Sequence, residues 1–89
     1  MKYSVAYSKK AERLIEKLDI PVKNRIKKYI DDNLVGCENP RLRGKSLNGN
    51  LSDKWCYRVG NYRIVADIED DKILITVVNV DHKKQIYSR

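Results

Sequence analysis

Two arginines, Arg58 and Arg63, flank the dipeptide Gly60-Asn61 inside a run of alternating apolar and polar side chains from Trp55 to Ile68. Gly-Asn supplies the positive backbone angles of a two-residue hairpin, so the run predicts two antiparallel strands. Counting outward from the turn pairs Val59 with Tyr62, Arg58 with Arg63, Tyr57 with Ile64, Cys56 with Val65, Trp55 with Ala66 and Lys54 with Asp67. Successive side chains point to opposite faces. One face then carries Trp55, Tyr57, Val59, Tyr62, Ile64 and Ala66 and belongs in a core. The other carries Lys54, Cys56, Arg58, Arg63, Val65 and Asp67. The opposed arginines should have Cβ atoms roughly 5 Å apart, where like charges destabilise a sheet. A guanidinium is planar, always charged and forks onto phosphate oxygens, so the pair reads as a grip for phosphate. The bland alternative is two long side chains splaying into solvent, at a cost of about a few tenths of a kcal/mol. If the pair serves phosphate alone, Arg63→Met should leave folding stability level or raise it.

The C-terminal stretch adds Lys83 and Tyr87, which share a face on a helix or on a strand, and His82, the one histidine of the chain. Each has a structural alternative: His82 as a surface residue, Tyr87 as a ring packed on the core. One histidine leaves no Ser-His-Asp or Cys-His logic, and no phosphate-binding loop or dinucleotide fingerprint occurs. Glu69-Asp70-Asp71 reads as a solvated turn. With no credible ligand cluster, neither a metal nor another cofactor is expected. Arginine, lysine and tyrosine, with histidine as a further candidate, suit a reaction that needs no cofactor: attack of an RNA 2′-hydroxyl on its neighbouring phosphate. The nucleophile is tethered in the substrate. The protein has only to align it, stabilise charge on phosphorus and protonate the leaving oxygen.

The elements that must hold these groups follow from periodicity. Lys2 to Tyr7 alternates and predicts a first strand. Ser8 can cap a helix in which Ala11, Leu14, Ile15 and Leu18 form the apolar stripe. Asp19-Ile20-Pro21 ends it and starts a second, striped by Val22, Ile26, Tyr29, Ile30 and Leu34; so short a connection predicts an antiparallel helical hairpin. Gly36 ends that helix. Residues 37–51 have loop composition and carry Arg41, Arg43 and Lys45. After the β-hairpin, Ile73 to Val80 is almost wholly apolar and β-branched and predicts a central strand buried on both faces. The expected fold is α+β: a mostly antiparallel sheet of about four strands in the order β-α-α-β-β-β, with the helices on the Trp55 face and a basic concavity opposite. The 89 residues make one expected domain, 1–89.

Nineteen Lys and Arg against 12 Asp and Glu leave +7, which favours an anionic partner. No apolar run reaches 18 residues, so no span and no membrane partner is expected. The first ten residues lack a secretory apolar segment. Cys37 and Cys56 make no disulfide framework, and the expectation is reduced thiols in the cytoplasm.

Arg58-Val-Gly-Asn-Tyr-Arg63-Ile-Val closely resembles the central motif of the RelE/ParE toxins of bacterial and archaeal toxin–antitoxin systems. Val80-Asp-His-Lys-Lys-Gln-Ile-Tyr87 resembles their C-terminal motif, and the element order agrees along nearly the whole chain. The resemblance implies a RelE-like, metal-independent endoribonuclease that cuts messenger RNA in the ribosomal A site and is held inactive by a cognate RelB-like antitoxin. It implies that Arg58 and Arg63 act around the scissile phosphate, that His82 stands on a frequent histidine, that Lys83 stands where an arginine aids the leaving group, and that Tyr87 orients the substrate. Lys54, Arg41, Arg43 and Lys45 are further candidates for RNA phosphates. Two positions depart from the pattern: Cys56 replaces a basic residue, with Lys54 on the same face the candidate for the missing charge, and Lys83 replaces arginine. The competing expectations are a non-enzymatic toxin resembling the ParE branch, which binds DNA gyrase, and a basic RNA-binding module without chemistry.

Overall fold

The computed structural model describes residues 1–46 and 54–82. Its elements are β1 (Ser4–Tyr7), α1 (Lys9–Glu16), α2 (Ile20–Asn33), β2 (Lys45–Ser46), β3 (Lys54–Val59), β4 (Tyr62–Glu69), a 3₁₀ turn (Asp70–Lys72) and β5 (Leu74–His82). The strands form one sheet of five, in the order β1-β5-β4-β3-β2. All neighbours are antiparallel except β1 and β5, which run parallel. The α+β expectation holds, with β2 as the added strand. Two residues, just after a glycine and inside a stretch of loop composition, carry no periodicity to read.

The helices begin where their caps allow. Ser8 Oγ accepts the Ala11 N–H at 3.0 Å and starts α1. Asp19 precedes α2, with Pro21 in its first turn. Gly36, at φ +78°, lets the chain leave α2. Ala11 and Ile15 of α1, and Ile26 and Ile30 of α2 with the following Leu34, pack on Tyr57, Val59, Ile64, Ala66, Ile68, Ile75, Val77 and Val80. The strand register places all of those sheet residues on one face, so both helices cover that face.

The segment between Gly36 and β2 is more than a connection. The buried Tyr57 hydroxyl donates to the Pro40 carbonyl at 2.6 Å, and Trp55 Nε1 donates to the Arg43 carbonyl at 2.6 Å. Arg41 Nη1 and the Tyr3 hydroxyl both donate to Asp70 Oδ1, at 3.0 and 2.7 Å. Asp70 is the exposed turn residue expected, and these two bonds also make it a corner that ties the turn to the Gly36–β2 segment. Gly44, at φ +78°, crosses β3 so closely that a Cβ would run into the Cys56 carbonyl oxygen and the Trp55 and Tyr57 rings.

β5 departs from its expectation twice. Only alternate residues, Ile75, Val77 and Val80, are buried, while Leu74, Thr76, Val78 and Asn79 are half-buried, because the helices cover one face of the sheet. It also contains a bulge: Val65 pairs with Asn79 but Ala66 pairs with Val77, leaving Val78 unmatched. Ser8 holds this irregularity. Its N–H donates to the Val77 carbonyl at 2.9 Å, and its hydroxyl reaches the Val78 carbonyl at 3.5 Å. No helix among the described residues is long and apolar enough to cross a membrane.

Candidate active site

The hairpin forms in the expected register, with Arg58 opposite Arg63 and Lys54 opposite Asp67. β5 extends the arginine row by one position, because Asp81 pairs with Arg63. Arg58, Arg63 and Asp81 therefore stand side by side on three neighbouring strands, on the face turned away from the helices. Arg63 is not an unpartnered cation: its Nε lies 3.3 Å from Asp81 Oδ1 and its Nη2 3.4 Å from Oδ2. Asn79 Nδ2 reaches Asp81 Oδ2 at 3.5 Å. This ion pair gives Arg63 a structural partner, which the phosphate-only premise behind Arg63→Met did not include. Arg58 is exposed and, among the described residues, has no carboxylate partner.

Beside this row lies Cys56, paired with Lys45 on one side and Val65 on the other. Cys56 and Val65 are both buried, so the face expected as a basic concavity has an apolar centre beside its arginines. Burial pushes the Cys56 thiol up, against the opposing fields of Arg63, Lys45 and Arg58, with Asp81 adding to the rise. A neutral thiol within reach of those three cations supplies neither a nucleophile nor a base at neutral pH. Lys45 is exposed on the edge strand β2, on the arginine side of the sheet.

The other candidates separate. Lys54 shares the face with Arg58, but its ammonium binds Asp67 at 2.7 Å. Arg41 is bonded to Asp70 past the far end of β4, roughly 20 Å from Arg63 at strand rise. Arg43 lies on the helix side, where its backbone meets Trp55 and its charge reaches Tyr29. His82 pairs with Tyr62 on the core-facing side, the two rings 4.7 Å apart and edge-on. The structure thus does not bring His82 to the arginines. Lys83 and Tyr87 lie outside the described residues.

The bulge at Val78 decides which tail residue meets Arg63. Strict alternation from Val77 would aim Val78, Val80 and His82 at the arginine face and Asn79 and Asp81 at the core. One unmatched residue inverts that phase, so Asp81 and Asn79 join the arginines and His82 turns to Tyr62. The available sign in the sequence was Asn79 and Asp81 at the end of an apolar strand, where strict alternation would have left both polar groups facing the helices.

The profile of the family described as "ParE toxin of type II toxin-antitoxin system, parDE" matches residues 5–87. The chain belongs to this toxin family. It is 28% identical over 89 residues, the full length of both chains, to Toxin RelG of Mycobacterium tuberculosis. The toxin–antitoxin complex RelBE2 of the same organism superposes with a TM-score of 0.81 at 26% identity, covering 92% of this chain and 99% of that one. The isolated Escherichia coli RelE toxin gives 0.74 at 26% identity, covering 90% and 83%. The protein is a toxin of RelE type within the RelE/ParE superfamily. In this toxin the row Arg58-Arg63-Asp81, flanked by Lys45 and Asn79, forms the densest convergence of charge on the sheet face opposite the helices among the described residues.

Proposed function

We propose that the toxin is a ribosome-dependent endoribonuclease that cleaves messenger RNA in the A site. The observation that carries this reading is the cross-strand pair Arg58–Arg63 on the helix-free face. Two forked cations side by side fit the non-bridging oxygens of one phosphate. They stabilise the charge that builds on phosphorus as the 2′-oxygen attacks. Lys83 and Tyr87 act in this reading as leaving-group cation and substrate-orienting hydroxyl, and Lys45 as a phosphate contact. The chemistry requires no metal ion. Its cognate inhibitor is a RelB-like antitoxin, a proposal supported by the RelB-bound form of the similar mycobacterial protein.

The profile match to ParE toxins favours a second reading, a toxin that binds DNA gyrase without chemistry. Translation in vitro with and without the protein, with message ends mapped by primer extension, separates the two. Site-specific breaks inside codons, insensitive to EDTA where ribosome integrity is kept, are expected of the nuclease. Intact message together with arrested replication in cells would replace it with the gyrase reading.

A further inference from the structure

We propose that Asp81 is the general base that takes the proton from the attacking 2′-hydroxyl. The inference rests on the nuclease reading above and supplies the group that reading lacks. A phosphate forked by Arg58 and Arg63 sits at one end of a row whose next member, one strand along, is Asp81. The carboxylate is held in place: Arg63 binds both of its oxygens, at 3.3 and 3.4 Å, and Asn79 reaches Oδ2 at 3.5 Å. Its side chain is 29% exposed, enough to meet a substrate.

The other groups on this face among the described residues do not fit the task. Asp67 is bonded to Lys54 and lies four residues from Arg63 on β4, roughly 13 Å along the strand. The Cys56 thiol is buried and pushed up by burial. Lys45, Arg58 and Arg63 are cations. His82 packs on Tyr62 across the sheet. Among the described residues, the charged and titratable groups facing Asp81 are thus Arg63 from β4 and, beyond it, Arg58 and Cys56 from β3 and Lys45 from β2. β1 pairs only with Leu74 to Val77 and faces Asp81 with nothing.

In the step, the 2′-O–H proton passes to an Asp81 oxygen as the 2′-oxygen bonds to phosphorus. The bond from phosphorus to the 5′-oxygen breaks, and that oxygen leaves with the electron pair and is protonated by water. The products are a 2′,3′-cyclic phosphate and a 5′-hydroxyl, and Asp81 returns its proton to solvent. Arg63 thereby has two tasks, holding the phosphate and aiming the base.

The test is single-turnover cleavage of message on programmed ribosomes by the full chain. D81N, which can still accept a hydrogen bond from Arg63, is expected to lose at least about 100-fold, the scale of a general base. D81A is expected to regain rate with added formate or acetate, and to regain more with the more basic carboxylate. A residue that only positions Arg63 would show no such dependence on basicity. Should either variant fold poorly by thermal melt, D81E, which keeps a displaced carboxylate, is expected to cleave measurably and to need no added acid. D81N cleaving within tenfold of the parent, or rescue indifferent to basicity, would overturn the assignment while leaving the nuclease reading intact. A parent protein that cuts no message would overturn both.

Discussion

Removing the two arginines one at a time should move stability in opposite directions. Arg63 and Asp81 meet at 3.3 Å, with side chains 27% and 29% exposed. A fully exposed pair would contribute at most about 1 kcal/mol, whereas hydrogen bonds to charged groups reach about 1.5–3 kcal/mol when partly buried. We take about 1–2 kcal/mol for this pair. Arg63→Met loses that and leaves the Asp81 carboxylate with Asn79 alone among the described partners. It also relieves the contact with Arg58, which returns roughly 0.2–1 kcal/mol. The net expectation is a loss centred on about 1 kcal/mol, or roughly 4–8 °C in melting temperature for a domain of this size. Arg58→Met has only the relief, so it should be neutral or stabilise by up to about 1 kcal/mol. Denaturant melts of both variants read the sign, and a cycle through Arg63→Met with D81N should return a coupling on the order of 1 kcal/mol. Equal stabilisation by both substitutions, or a coupling near zero, would show that the carboxylate does not hold Arg63 in solution.

Three further outcomes are expected. Tyr57→Phe should cost about 1–2 kcal/mol in a urea melt, because the buried Pro40 carbonyl loses its donor at 2.6 Å. An unchanged midpoint would mean that the segment carrying Pro40 is not docked by this bond. Asp70 is held below the ordinary carboxylate range, first by its hydrogen bond from Arg41 and then by that from Tyr3. A lowered folded value means the stabilisation is complete above the unfolded value, near pH 4, and fades as pH falls through the folded one. Asp70→Asn should therefore flatten the acid limb of a stability-versus-pH curve below about pH 4, and a limb identical to that of the parent would contradict the latch. Finally, +7 on 89 residues predicts that the antitoxin segment covering Arg58 and Lys45 is acidic and that association slows as salt rises toward physiological strength. Stopped-flow rates indifferent to salt over that range would argue against it.

Much of the molecule follows from sequence alone, because its signals are local. Gly60-Asn61 dictates the hairpin, and period-two counting from that turn puts Arg58 opposite Arg63 without knowledge of any other strand. Ser8, Pro21 and Gly36 mark the helix ends, and stripes at helical spacing say which sides must be covered. The family motif likewise sits within one hairpin and one tail. Tertiary structure decided what lies beside the arginines. The strand order that sets β5 against β4 is a long-range choice with no local sign. The unmatched Val78, held by Ser8 some seventy residues earlier, reverses every side chain that follows it in β5. Counting by twos from the apolar run aims His82 at the phosphate grip. One extra residue, stabilised by a distant cap, aims Asp81 there instead, since in a strand the face of each side chain depends only on the parity of what precedes it.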